Sequence, residues 1–301
     1  MTRILTAGMI VCAGLTSAPA AKCQVQAQQV DWKAVEAAIG RPGSPQAGDV
    51  YRFNFPRGDL RVTADGIAIR PALALGGWVA MKAVTGGVVA MGDLVLAEDE
   101  VTPVITQLQS GGVEQTAIHH HIVRESPRVL YMHVHAHGNA VKIAETIRAA
   151  VALTRTPPPS PPASATGDLG IDTVRIAQAL GYAGRVNGGV YQVNVSRSET
   201  IRDGSFEVPT SMGLATVMNF QPTGGGKAAI TGDFVLTSNE VNPVIRTLRE
   251  NAIEVTSLHS HMLTEEPRLF FMHFWANDDA TKLARGLRAA LDQTNSRKPA
   301  P

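Results

Sequence analysis

The chain has 301 residues, enough for about two ordinary domains. Its formal net charge is +1, which excludes the strong positive field typical of proteins that bind nucleic acid or anionic membranes. Hydrophobic residues at 44% and charged residues at 18% are ordinary for a globular protein.

Residues 1–20 have the pattern of a signal peptide. Arg3 supplies a positive start, an apolar stretch follows over residues 4–15, and Ala18-Pro19-Ala20 is typical of a cleavage site. We therefore expect cleavage after Ala20 and an exported protein, periplasmic or extracellular. The apolar stretch is too short to span a bilayer comfortably, so we expect no transmembrane segment in the mature chain. Cys23 then remains as the only cysteine, which excludes an intrachain disulfide.

A Pro-rich linker over residues 154–167 divides the mature chain into two halves. Five prolines among Ser, Thr and Ala favour extended geometry there and exclude a helix or a central strand. We expect a first repeat domain over residues 30–153 and a second over residues 168–293. The polar residues 294–301 are predicted to be a disordered tail.

The two halves predict the same order of elements. Each begins with a short amphipathic helix that ends at a glycine and has an aspartate suited to the N-cap. Alternating strands with Asp-Gly turns follow, then a helix, two more strands and a last helix. The predicted helices cover 31–39, 98–110 and 139–153 in the first half, and 172–180, 239–250 and 279–292 in the second. Helices and strands do not alternate strictly, so we predict an α+β fold in which each half is an antiparallel sheet with helices packed on one face.

A gapless internal repeat is the clearest feature of the sequence. Residues 91–152 align with residues 231–292, and 26 of the 62 positions are identical. This agreement indicates a tandem duplication. Three histidine pairs are among the identities: His119 with His259, His121 with His261, and His133 with His273.

Side-chain alternation predicts where these histidines point. The strands are expected over residues 116–123 and 128–136, and over 256–263 and 268–276 in the second copy. A register that pairs His119 with His133 places the apolar residues on one face. It places these two histidines, together with His121, on the other face. Directly opposed Cβ atoms lie about 4.5–5.5 Å apart. We therefore predict one cluster of three histidines in each half, on the sheet face away from the helices.

Three neutral imidazoles at this spacing suit zinc, copper, nickel or iron. A three-His site leaves a coordination position for water, which zinc acidifies toward a pKa of about 7. The metal ligands predicted from the sequence are His119, His121, His133, His259, His261 and His273.

Glu125 and Glu265 lie in the turns between the two strands. Each is predicted as a fourth ligand, a general base or a partner that orients a histidine. The Gly92-Asp93 and Gly232-Asp233 pairs are interpreted as a bulge or strand entry.

Two functions from different classes fit these features. The first is a metal-binding protein or a metal-dependent lyase or hydrolase with one histidine cluster per repeat. The second is a non-enzymatic envelope protein that uses the His and aromatic sheet faces to bind a small molecule or an envelope component.

Several long strings resemble a bacterial family of unknown function that is typified by the mycobacterial LppY and LpqO lipoproteins. They include Leu73-Ala74-Leu75-Gly76-Gly77-Trp78, Arg124-Glu125-Ser126-Pro127-Arg128 and Leu258-His259-Ser260-His261-Met262. The resemblance implies export and a duplicated domain, and it implies no activity. The His-x-His spacing is also loosely similar to α-acetolactate decarboxylase, a resemblance that implies a metal lyase.

Overall fold

The structure is a computed structural model that describes residues 30–159 and 169–298. The predicted signal peptide, and residues 160–167 of the predicted linker, lie outside the described residues.

The first half follows the predicted order of elements closely. Asp31 caps the first helix by accepting hydrogen bonds from two backbone N–H groups, and Gly40 ends it with a φ of 75°. A 3-10 turn, Glu98–Glu100, precedes the third helix. The elements are α1 (Trp32–Ile39), β1 (Ser44–Gln46), β2 (Val50–Pro56), β3 (Thr63–Ala64), β4 (Ile67–Ala68), α2 (Pro71–Ala74), β5 (Gly76–Val84), β6 (Gly87–Ala97), α3 (Val101–Ser110), β7 (Glu114–His119), β8 (Glu125–Ser126), β9 (Val129–Gly138) and α4 (Ala140–Val151).

The second half repeats the first. Asp172 and Gly181 cap its first helix in the same way, and the short α2 is replaced by a 3-10 turn, Thr210–Met212. The elements are α5 (Thr173–Leu180), β10 (Arg185–Asn187), β11 (Val190–Ser196), β12 (Arg202–Asp203), β13 (Phe206–Glu207), β14 (Ala215–Gly224), β15 (Lys227–Thr237), α6 (Ser238–Glu250), β16 (Glu254–His259), β17 (Glu265–Glu266), β18 (Leu269–Asp279) and α7 (Ala280–Leu291).

Each half contains a six-stranded antiparallel sheet with the same strand order, which confirms the predicted fold class. The orders are β1-β2-β5-β6-β9-β7 and β10-β11-β14-β15-β18-β16. Two small sheets, β4-β3-β8 and β13-β12-β17, hold the Asp-Gly turns against the segments that connect the last two long strands. The histidine-bearing strands therefore lie at one edge of each large sheet.

The two sheets pack face to face with the helices outside. One face of each sheet packs on its own helices, as Met132 does in the first half and Met272 in the second. The opposite faces contact each other through two mixed clusters. One joins Met91 of the first half to Phe271 of the second, and the other joins Tyr131 to Trp275. The order of layers is helix, sheet, sheet, helix, so the face that carries the histidines is an interior surface.

The described part of the C-terminal tail is ordered, in contrast to the prediction for residues 294–301. The N–H of Asn295 donates to Glu240 at 2.7 Å, and the N–H of Arg297 donates to the carbonyl of Ser196 at 2.8 Å. The start of the linker is bound equivalently, because the N–H of Arg155 donates to Glu100 at 2.9 Å. Polar composition suggested disorder, but these backbone groups complete a buried charge network.

Candidate metal centre at the interface between the halves

The predicted shared face of His119 and His133 is correct, but the predicted register is wrong. His133 lies opposite Ala117, and His119 lies opposite Tyr131. A bulge between Gln115 and Ala117 accompanies this shift of two residues, and an equivalent bulge lies between Val255 and Ser257. A shift of two residues preserves the side-chain face, whereas a shift of one would have reversed it.

The first histidine-bearing strand was predicted to end at residue 123, but it ends earlier in the structure. β7 ends at His119, and the chain leaves the sheet before His121. The second copy does the same, ending at His259 before His261. In each copy the second histidine of the His-x-His pair therefore projects from a loop toward the other half.

The six histidines form one cluster and not one cluster per half, which corrects the sequence prediction. The rings of His119 and His259 stack across the interface with centroids 3.6 Å apart. His121 lies 3.8 Å from His273, and His133 lies 3.7 Å from His261, measured between ring centroids. We call the six residues the histidine cluster. The close packing of the two sheets brings the histidines of the two halves together. The sequence of one repeat does not reveal this packing.

Two equivalent hydrogen bonds cross between the halves and fix the loops that carry the outer histidines. Thr116 donates its hydroxyl to the carbonyl of His261 at 2.6 Å, and Thr256 donates to the carbonyl of His121 at 2.7 Å. Each half therefore positions a histidine loop of the other half.

The cluster is buried. Four of its members are at most 7% exposed: His119, His133, His261 and His273. His121 and His259 are partly exposed and mark its accessible edge. Burial lowers the pKa of every histidine in the cluster, and it lowers the pKa of His273 to about 3. The imidazoles are therefore neutral at ordinary pH, which is the form that binds metals.

Two aspartates complete the centre: Asp93, which is buried, and Asp233, which is partly buried. Asp93 lies opposite His133 in the β6–β9 register, and Asp233 lies opposite His273 in β15–β18. Burial raises the pKa of both carboxyl groups. Sequence reasoning interpreted these residues as part of a bulge. Their retention in both copies, next to the histidine repeat, is the sequence signal that could have identified them as site residues.

Each aspartate faces one of the outer histidines. The carboxylate of Asp93 lies 3.5 Å from Nε2 of His121, and that of Asp233 lies 3.3 Å from Nε2 of His261. Neither histidine Nε2 has a hydrogen-bond partner among the described residues, and one oxygen of each aspartate also lacks one. Nε2 of His133 is likewise unpartnered within the described chain. Buried polar atoms normally find a partner, so this group of atoms marks a candidate ligand site.

Backbone carbonyls orient the ring nitrogens toward the centre of the cluster. Nδ1 of His273 lies 2.7 Å from the carbonyl oxygen of Gly232, and Nδ1 of His133 lies 3.2 Å from that of Gly92. Nδ1 of His259 lies 3.2 Å from the carbonyl of Ser260. A carbonyl accepts and does not donate, so in each neutral ring Nδ1 carries the proton and Nε2 carries the lone pair. A histidine that binds a metal commonly shows this arrangement.

The predicted catalytic residues Glu125 and Glu265 lie in the turns beside the cluster. Glu265 accepts from the N–H of Leu269 at 2.9 Å and pairs with Arg268 at 3.1 Å. Glu125 accepts from the N–H of Val129 at 3.4 Å. Among the contacts of the described residues, none joins either glutamate to the histidine cluster. Their predicted catalytic role stays a prediction.

The sequence difference between His135 and Trp275 has a structural explanation. Nε1 of Trp275 donates to Asp65 across the interface at 2.9 Å, and Nε2 of His135 lies 3.4 Å from Asp203. Asp65 and Asp203 are the aspartates of the two Asp-Gly turns. The two residues therefore make equivalent contacts between the halves, outside the cluster.

The fold and the site define a duplicated α+β protein whose two sheets enclose a shared histidine cluster. The chain belongs to the family described as Domain of Unknown Function (DUF1259), whose model matches residues 33–153 and 174–293. The two matched segments correspond to the two halves of the structure.

Other comparisons add little. No curated protein matches the sequence. The chain is similar to a trimeric bacterial microcompartment shell protein, PduB, at 10% identity and a TM-score of 0.21, over 83% of this chain and 89% of that one. It is similar to EtuB from Clostridium kluyveri at 9% identity and a TM-score of 0.20, over 83% and 90% of the two chains. Likeness at these TM-scores carries no argument.

Within residues 30–159 and 169–298, every helix is too short or too polar to cross a bilayer.

Proposed function

We propose that this protein binds a transition metal through the histidine cluster at the interface between its halves. The proposal is carried by one contact, between Nε2 of His259 and Nε2 of His273, which lie 2.9 Å apart. The Nδ1 contacts assign the proton of each neutral ring to Nδ1, so both Nε2 atoms carry lone pairs. Two lone pairs at this distance repel each other unless a cation lies between them.

The distances between ring nitrogens fit two ligands of one metal ion. Nitrogens that are each about 2.0–2.1 Å from a metal lie about 2.9–3.4 Å apart when the angle at the metal is between about 90° and 109°. The 3.2 Å contact between Nε2 of His119 and Nε2 of His273 falls in this range.

The donor set narrows the choice of metal. Imidazole nitrogens with added carboxylates suit zinc, iron, nickel and copper, whereas calcium and magnesium prefer oxygen ligands. The carboxylates of buried Asp93 and partly buried Asp233 favour a divalent cation over a neutral guest.

Hydrolase or lyase chemistry is the finer part of the proposal. A catalytic metal keeps a coordination position open for water or substrate. The partly exposed edge at His121 and His259 is where a small molecule would approach.

The alternative of an envelope partner bound on the histidine faces loses support, because those faces pack against each other. Export to the periplasm or cell exterior, and the relation to the LppY and LpqO lipoproteins, also remain part of the proposal.

Metal analysis of the full chain, purified without a histidine tag, tests the metal-binding function. We expect at least one equivalent of a transition metal per chain after growth in metal-supplemented medium. Loading should fall at least tenfold in a His259→Ala, His273→Ala double variant, because both members of the close nitrogen pair are lost.

The matched control is His120→Ala with His137→Ala, which removes two histidines outside the cluster and should leave the metal content unchanged. Thermal melts and near-ultraviolet circular dichroism would show whether each variant is folded. A folded wild-type protein that retains no metal after reconstitution and desalting would contradict the proposal.

A further inference from the structure

The donor groups of the centre are too many for one ion. Six imidazoles and two carboxylates meet at the interface, and transition-metal sites in proteins take about four to six ligands. One ion placed among the central histidines would leave buried atoms at the outer edges without a partner. The unpartnered atoms are Nε2 of His121, Nε2 of His261, Oδ1 of Asp93 and Oδ1 of Asp233.

The donors form three compact triads. One, made of His119, His133 and His259, overlaps the other two, which share no residue with each other. His119, His121 and His273 bring one ligand atom each within 4.8 Å of one another. Asp233, His259 and His261 do the same. His119 and His121 correspond to His259 and His261 in the repeat, so the two groups are related by the pseudo-symmetry of the fold.

The remaining donors extend these groups symmetrically. Asp93 lies 3.5 Å from Nε2 of His121, and the ring of His133 lies 3.7 Å from that of His261. Each group then contains three histidines and one aspartate. The first is His119, His121, His273 and Asp93, and the second is His259, His261, His133 and Asp233.

The groups are crossed between the halves. In each, the His-x-His pair comes from one half and the third histidine comes from the last long strand of the other half. Both outer histidines lie against the last long strand of the other half, with ring centroids 3.8 Å apart for His121 and His273 and 3.7 Å apart for His261 and His133. The ring of His119 lies 4.8 Å from that of His133 and 5.2 Å from that of His273, but its Nε2 lies 3.2 Å from Nε2 of His273. The hydrogen bonds from Thr116 and Thr256 hold the loops in these crossed positions.

We infer that the interface holds two metal ions side by side, each bound by three histidines and one aspartate drawn from both halves. The inference rests on the proposed metal-binding function and deepens it. Ions held this way would be close together, since paired-metal sites in proteins have spacings of about 3.5–4 Å. The contact between His259 and His273, which belong to different groups, lies at the boundary between the two ions.

Two double variants of the full chain distinguish crossed sites from sites within one half. The probe is Co²⁺ or Zn²⁺ titrated into apoprotein, with the bound metal counted after desalting. Wild type should bind two equivalents. His121→Ala with His273→Ala removes ligands of one crossed group only, so one equivalent should remain. His121→Ala with His133→Ala removes a ligand from each crossed group, so less than about a tenth of an equivalent should remain.

Sites confined to single halves would give the reverse result, because His121 and His133 belong to one half and His121 and His273 to both. That reversal would overturn the crossed assignment. One equivalent in wild type would overturn the paired-ion inference while leaving the metal-binding function intact, and no bound metal would refute the function itself. His120→Ala with His137→Ala should bind two equivalents. Melts of each apoprotein show folding, and substitution by Gln in place of Ala keeps the test available where an alanine variant unfolds.

Discussion

Gly232 and Gly92 are positions where the site depends on the absence of a side chain. A Cβ added at Gly232 would lie 1.8 Å from the carbonyl oxygen of Val217, and one added at Gly92 would lie 2.6 Å from that of Trp78. Both contacts are with backbone of the neighbouring strand, which cannot move aside cheaply. These glycines also supply the carbonyls that face Nδ1 of His273 and His133. Close strand approach and histidine orientation therefore have one cause.

Gly232→Ala should destabilise the protein by about 1–3 kcal/mol, the usual cost of overpacking a buried position. The measurement is urea denaturation of the purified chain. Gly58→Ala is the matched control, since a Cβ there meets nothing within 4 Å. Equal denaturation midpoints for the two variants would contradict the close approach of β14 and β15.

A buried ion pair lies at the start of α6, the helix that follows the long strand β15. Glu240, in the first turn of α6, accepts a hydrogen bond from the N–H of Thr237. Its carboxylate pairs with Arg197 at 2.7 Å. Glu100 and Arg57 repeat this pair in the first half at 2.6 Å. A local pattern shows only an acidic residue in the first turn of a helix, where the helix macrodipole favours one. Its buried arginine partner is 43 residues away along the chain, beyond the reach of any local pattern.

Glu240→Gln should destabilise the protein by about 1–3 kcal/mol, because it removes one of the two carboxylates that pair with the buried guanidinium of Arg197 and leaves only Glu199. Glu207→Gln is the control, since its pair with Arg202 is exposed and should be worth at most about 1 kcal/mol. Chemical denaturation at pH 7 measures both. A loss for Glu240→Gln no larger than for Glu207→Gln would show that the buried pair does not stabilise the fold.

The same pair has a pH signature. Burial alone would raise the pKa of Glu240, but hydrogen bonds from Arg197 and two backbone N–H groups outweigh it and lower the pKa below its ordinary 4.5. Its stabilisation is therefore present above about pH 4.5 and is lost as the pH falls through the lower folded-state value. The stability difference between wild type and Glu240→Gln should shrink on acidification below pH 4.5.

At the scale of the whole molecule, the duplication brings two histidine-bearing sheets together at one interface. In each repeat, the sheet face without helices packs against the same face of the other repeat. This packing buries the histidines. Neither half contains a complete group of the crossed kind. The arrangement explains why three histidine positions are identical in both copies while His120 and Ser260, or His135 and Trp275, differ.

The sequence was enough to predict the elements, the antiparallel sheets and the shared face of His119 and His133, because these follow from local alternation and from capping residues such as Asp31 and Gly40. It was insufficient for the register, which lies two residues from the predicted pairing, because alternation does not reveal the bulge between Gln115 and Ala117. It was also insufficient for the site, because the contact between His119 and His259 arises from packing between repeats. Asp93 was underestimated since its partner His121 comes from a loop.

Anomalous diffraction from crystals of the metal-loaded full chain, collected at the absorption edge of the bound metal, tests the shared centre most directly. The structure predicts anomalous density between the two sheets, within bonding distance of Nε2 atoms from both halves, at about 2.0–2.1 Å. Density confined to histidines of a single half, or metal bound elsewhere with the cluster unligated, would contradict the assignment.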